Sequence, residues 1–111
     1  MAAVDIDDRD GDELVVGAPL HSTTDKYDVG KVKIFEFVRV RRSGKWQSKE
    51  VRELSPPELT SGSRFGFAVE SLGDIHNDDY EDFAVSAPYF GDKRNGAVFI
   101  YRGNPKFIFG K

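Results

Sequence analysis

Three aspartates recur at a spacing of four in the stretch Gly73-Asp74-Ile75-His76-Asn77-Asp78-Asp79-Tyr80-Glu81-Asp82, and the apolar run Phe83-Ala84-Val85-Ser86-Ala87-Pro88 follows at once. Asp74, Asp78 and Asp82 hold positions 1, 5 and 9 of a nine-residue loop, with His76 at position 3 and Tyr80 at position 7. A chain that turns back on itself with oxygens at alternate positions can wrap a hard cation. Calcium takes six to eight oxygens in flexible geometry, so carboxylates plus one backbone carbonyl, here that of Tyr80, suit it. Imidazole nitrogen is a poor ligand for such an ion. The His76 ring is therefore expected to point aside or to reach the metal through water.

The same stretch occurs twice. Asp5-Ile6-Asp7-Asp8-Arg9-Asp10-Gly11-Asp12-Glu13-Leu14-Val15-Val16-Gly17-Ala18-Pro19 aligns with 74–88 without a gap, at an offset of 69 residues. Its candidate ligands are Asp5, Asp7, Glu13 and the carbonyl of Gly11. Both copies resemble the Asp-x-Asx-x-Asx-Gly pattern of calcium loops. They differ from an EF-hand in running into a strand, with Val85 where position 12 would supply a glutamate. Asp10 and Asp79 occupy the sixth position, where glycine usually supplies a positive φ. Aspartate visits that region more readily than most residues. Arg9 stands where the second loop has Asp78, and it cannot ligate through its side chain.

These loops bound the function. They hold 11 of the 19 acids, six in 5–13 and five in 74–82, so the remainder of the chain is net basic although the whole carries −3. That distribution points to local cation sites, not to an acidic tail or a nucleic-acid surface. The basic residues Arg39, Arg41, Arg42 and Lys45 surround Ser43-Gly44 and read as a solvated hairpin end, with an anionic partner as the alternative. There is no cysteine, no secretory signal and no apolar run near 18 residues. His21-Ser22 lacks the third group and the elbow that would make it a catalytic pair. Arg102-Gly103-Asn104 lacks the final Asp of an adhesion tripeptide and reads as a turn. Asn77, Asn95 and Asn104 have no Ser or Thr two positions on, so none is a glycosylation acceptor. No enzyme is expected.

The elements that must position the loops are strands. Residues 13–17, 31–40, 46–54, 65–72, 82–87 and 97–102 carry strand patterns, and no segment has a helical period. In 31–40, Val32, Ile34, Val38 and Val40 share one face while Phe35 and Phe37 lie on the other, which predicts burial on both faces. The polar strand 46–54, with Trp46, Val51 and Leu54 as its apolar residues, reads as an edge. Antiparallel strands buried on both faces without helices imply sheet stacked on sheet, and radially packed four-stranded sheets make a β-propeller.

The motifs now carry a family resemblance. Ser63-Arg64-Phe65-Gly66, Leu72-Gly73-Asp74-Ile75, Asp82-Phe83-Ala84-Val85-Ser86-Ala87-Pro88-Tyr89 and Gly96-Ala97-Val98-Phe99-Ile100-Tyr101 resemble the FG-GAP repeats of integrin α-subunit propellers. The resemblance covers nearly the whole chain. It implies an all-β fragment, about one and a half blades, of a seven-bladed β-propeller with four-stranded antiparallel blades. Residues 1–60 would be a blade lacking its first strand, and 61–111 the next blade lacking a complete outer strand. It further implies structural calcium in the loops. The parent would be a cell-surface adhesion receptor subunit that pairs with an integrin β subunit and binds a matrix or cell-surface protein. Its place would be the extracellular face of the plasma membrane, anchored through parts of the parent chain absent here. The alternative is an FG-GAP propeller appended to a secreted enzyme, such as a phospholipase that cleaves lipid anchors. Made alone, the chain is expected to expose Phe35, Phe37, Phe83 and Phe99 on outward faces.

Overall fold

The computed structural model describes residues 2–4, 13–39 and 41–103. Seven strands run in order: β1 (Ala2–Val4), β2 (Glu13–Ala18), β3 (Lys31–Arg39), β4 (Trp46–Leu54), β5 (Val69–Gly73), β6 (Asp82–Ala87) and β7 (Ala97–Tyr101). They form a four-stranded sheet, β1-β2-β3-β4, and a three-stranded sheet, β5-β6-β7, with every neighbouring pair antiparallel. There is no helix among the described residues. The protein is all-β, built from stacked antiparallel sheets, as expected for part of a β-propeller.

Alternation sets the faces. Along β6 the residues Phe83, Val85 and Ala87 are fully buried, and they pair across to Tyr101, Phe99 and Ala97 of β7. This face packs against the first sheet, which contributes Val15, Val32, Ile34 and Leu54 to one shared core. Phe65 sits between the sheets with no exposed surface. Its ring meets Phe99 edge-on at 5.2 Å, and Phe83 stacks on Tyr101 at 5.2 Å. Such pairs add specific geometry to a large apolar burial.

The connection that carries Phe65 also explains two glycines. Phe65 N–H donates to the Val29 carbonyl at 3.0 Å, and Phe65 bridges to Gly30 in parallel fashion. A Cβ on Gly17 would lie 2.0 Å from the Gly66 carbonyl oxygen, and one on Gly30 would lie 2.1 Å from the Phe65 carbonyl oxygen. Two backbones touch there, so only glycine fits. The Phe-Gly that opens the second repeat is thus seated on Gly17, Ala18 and Gly30 of the first.

Several sequence expectations need correction. The first repeat has a strand before its acidic loop: β1 pairs with β2 as β5 pairs with β6. Three residues are too few to show an alternation. The strand expected over 65–72 begins only at Val69, because Gly66, at φ +95°, breaks the extended backbone and turns Phe65 into the core. Phe83 and Phe99 face inward and not outward; of the four phenylalanines expected outside, Phe37 alone, 43% exposed, lies open to solvent, and Phe35 is half-buried. The expectation that β3 is buried on both faces therefore fails at its far end. The expected face of Val38 and Val40 lies outside the described residues and side chains. The polar edge holds: the first five residues of β4 are all exposed.

Candidate metal centre

The β5–β6 connection is the loop of the three aspartates. It leaves β5 at Gly73, with φ +67°, and takes left-handed backbone again at Asn77 (φ 57°) and Asp79 (φ 71°). The sixth-position aspartate thus adopts the conformation that glycine usually supplies, and Asn77 adopts it too. Both are residue types that tolerate it.

Asp74 organises the tip. Its carboxylate accepts from Asp78 N–H at 3.0 Å and from Asp79 N–H at 2.8 Å. Asp78 accepts from Tyr80 N–H at 3.2 Å, and its other oxygen takes the Arg102 Nε–H at 2.9 Å. The hydrogen bond from Arg102 is the main reason the Asp78 carboxyl is held below the ordinary carboxylate range; burial opposes it, and Tyr80 N–H and the Arg102 charge assist.

Asp82, the first residue of β6, is fully buried. One oxygen accepts from Gly103 N–H at 2.9 Å. The other accepts from Ile75 N–H at 3.1 Å and meets His76 Nδ1 at 2.8 Å. Burial pushes the Asp82 carboxyl upward, but the bonds from His76, Gly103 and Ile75 outweigh it and hold the group below its ordinary value. A buried carboxylate with several donors is the arrangement that keeps it ionised. The His76 ring is thus turned onto Asp82.

The five candidate residues of this loop are gathered on one short turn, but their carboxylates face protein donors. Among the described residues no group of three or more His, Asp or Glu side chains is gathered as a metal cage. The donor set still suits a hard cation. An ionised carboxylate offers about four lone-pair sites, and these hydrogen bonds use two on Asp74 and two on Asp78. The Tyr80 carbonyl could supply a further oxygen. Of the first loop, Asp5, Asp7 and Gly11, with Arg9 and Asp10, lie outside the described residues. Glu13 opens β2 and is 4% exposed, matching the buried place of Asp82.

Sequence reasoning missed Arg102 and Gly103. They lie more than 20 residues from the acids they hold. The signal was the strand register: Phe83 opposite Tyr101 puts Asp82 opposite Arg102.

A concavity of about 490 Å³ opens between 52–58 and β7. Tyr101 there is kept neutral, its pKa pushed up to about 12 by burial first and by the Glu58 charge, with Arg52 opposing.

Comparison with known proteins supplies relatives. No family model matches the chain. It is 38% identical over 109 residues to integrin alpha-PS2 of Drosophila melanogaster, covering 95% of this chain and 8% of the relative. It is 40% identical over 111 residues to integrin alpha-4 of Xenopus laevis, covering 96% and 10%. It is 36% identical over 108 residues to human integrin alpha-6, covering 97% and 9%. The chain therefore spans about a tenth of the length of these curated relatives.

Proposed function

We propose, from the premise that this chain is an integrin α-type sequence, that it forms part of the calcium-stabilised, seven-bladed propeller of a cell-surface adhesion receptor. The parent subunit pairs with an integrin β subunit and faces the extracellular space, where it binds a matrix or cell-surface protein. The chain's own role is structural and not enzymatic. The observation that carries this reading is the seating of Phe65-Gly66 on Gly17 and Gly30. One repeat docks on the next through the repeated motif itself, and such docking, continued, builds a ring of blades.

Calcium has a defined task in this reading. The β5–β6 loop carries Asp74, Asp78, Asp79, Glu81 and Asp82 within nine residues, and their mutual repulsion opposes the compact turn. A divalent cation held by Asp74, Asp78, Asp82 and the Tyr80 carbonyl would neutralise that charge and tie β5 to β6. Extracellular modules need bind calcium only at about 10⁻⁴–10⁻³ M to be filled. Terbium luminescence or calorimetry on the folded chain tests the assignment. Saturable binding that is lost in Asp78→Ala is expected, and equal affinity in that variant would overturn the site.

A further inference from the structure

Several cations among the described residues have partners. Lys31 pairs with Glu53 at 3.4 Å and Lys33 with Glu50 at 3.1 Å. Lys26 donates to the Leu59 carbonyl at 2.6 Å, and the Arg64 guanidinium lies over the Tyr89 ring. The β3–β4 hairpin differs in gathering several such cations without partners. Arg41, Arg42, Lys45 and Lys49 are exposed, and no ion pair or side-chain hydrogen bond engages any of them among the described residues. From Phe37 to Lys49 the sequence contains no acid at all, although the whole chain carries −3. Beside these cations Trp46 is 66% exposed.

This combination has a physical cost. Four like charges on one ribbon repel each other, and an exposed indole gains nothing from water. An anionic partner relieves the first, and a partner with a flat face relieves the second. The cations are also strung along the ribbon. Lys49 lies on β4 and Lys45 just before it, four residues apart, about 13 Å where the chain is extended. Such spacing suits a linear polyanion whose charges repeat along its length better than a single phosphate group.

We propose that the tip of the β3–β4 hairpin binds a sulfated polysaccharide. Arg41, Arg42 and Lys45 contact sulfates, and Lys49, which strand alternation places on the face opposite Trp46, extends the charge along the other side of the ribbon. Trp46 packs its ring on the apolar face of a sugar, as amphipathic aromatics do at half-wet surfaces. The choice of a polysaccharide over a lipid surface rests on the extracellular placement proposed above. Anionic lipids are concentrated on the cytoplasmic leaflet, so the dense anionic polymer met outside a cell is a sulfated glycan.

Trp46 is the chain's one tryptophan, so its fluorescence reports this hairpin and nothing else. The experiment is a titration of the full chain with a size-defined heparin oligosaccharide at low and at physiological salt. A saturable change in emission is expected, with affinity falling as salt rises, because binding releases counterions from the polyanion. The triple variant Arg41→Ser, Arg42→Ser, Lys45→Ser should weaken binding at least about tenfold and flatten the salt dependence. Lys93→Ser, which removes an exposed cation elsewhere, should bind as the parent does. The three replaced side chains are exposed, so the core is untouched. An unchanged affinity in the triple variant would overturn the proposal. So would equal binding of the desulfated polymer, or an emission change with phosphatidylserine vesicles and none with heparin. Calcium binding by the β5–β6 loop is measured separately on the same proteins. Its loss would count against the adhesion-receptor reading, and failure of heparin binding with calcium binding intact would count against this inference alone.

Discussion

Val32 and Ile34 of β3 are fully buried, whereas Val98 and Ile100 of β7 are 65% and 60% exposed. These are corresponding residues. Gly30-Lys31-Val32-Lys33-Ile34-Phe35 matches Gly96-Ala97-Val98-Phe99-Ile100-Tyr101, and each pair sits on the same face of its repeat. The first pair is covered because the second repeat lies on it: Gly17, opposite Val32 in the ladder, touches Gly66 of the next repeat. The second pair has no third repeat above it in this chain. The same side chains in the same local structure are therefore core in one place and surface in the other. Burial here belongs to the contact between repeats and not to the strand.

The largest test of that statement is the ring that makes the contact. Phe65 belongs to the second repeat by sequence, yet it closes the core of both. Phe65→Ala should destabilise the chain by about 3–5 kcal/mol, the range for losing a large aromatic from a packed core. Chemical denaturation would measure it. A loss below about 1 kcal/mol would mean that the two sheets are not held together here.

A more direct comparison uses the paired isoleucines. Ile34→Ala should cost about 2–5 kcal/mol, because a fully buried side chain is removed and a cavity remains. Ile100→Ala should stay within about 0.5 kcal/mol, as exposed positions usually do. If a following repeat is joined to this chain, the cost of Ile100→Ala should rise toward that of Ile34→Ala. Equal effects of the two substitutions in the present chain would break the comparison.

The legible part of the fold was the part governed by alternation. β3, β4 and β6 were readable because each has at least six residues with a clear pattern, and the polar residues of 46–50 marked the edge. The reading failed where a residue's surroundings come from another repeat. Phe65-Gly66-Phe67-Ala68-Val69 looks like a strand, but its first residue is a plug for the neighbouring sheet. Phe83 and Phe99 were expected outside because no pattern within one strand says which face meets the next sheet. The acids of the loop were legible as a cluster. The donors from Arg102, Gly103 and His76 were not, since they follow from the register of β6 on β7 and from the turn itself.

The smallest effect concerns the two loops. At the fifth position the first has Arg9 and the second has Asp78, but the second loop also carries a cation, supplied from the end of β7. Arg102 Nε lies 2.9 Å from Asp78 and takes one of the oxygens that the proposed calcium would need. A divalent ion bound at Asp78 must share that carboxylate with a guanidinium or displace it. The pair is solvent-exposed on the arginine side, at 58%, so screening keeps the competition modest. Removing one positive charge a few ångströms from a divalent ion in high dielectric corresponds to about a three- to tenfold change in affinity. Arg102→Ala should therefore tighten calcium binding by that factor, and Arg102→Lys, which keeps the charge, should return it most of the way. Calorimetry on the three proteins decides it, with the calcium-free melting temperature as a second readout. That temperature should fall slightly in Arg102→Ala, because the arginine is then no longer available to hold the loop in the metal's place. Weaker calcium binding in Arg102→Ala would mean that the arginine positions Asp78 for the ion, and the picture of competing cations would be wrong.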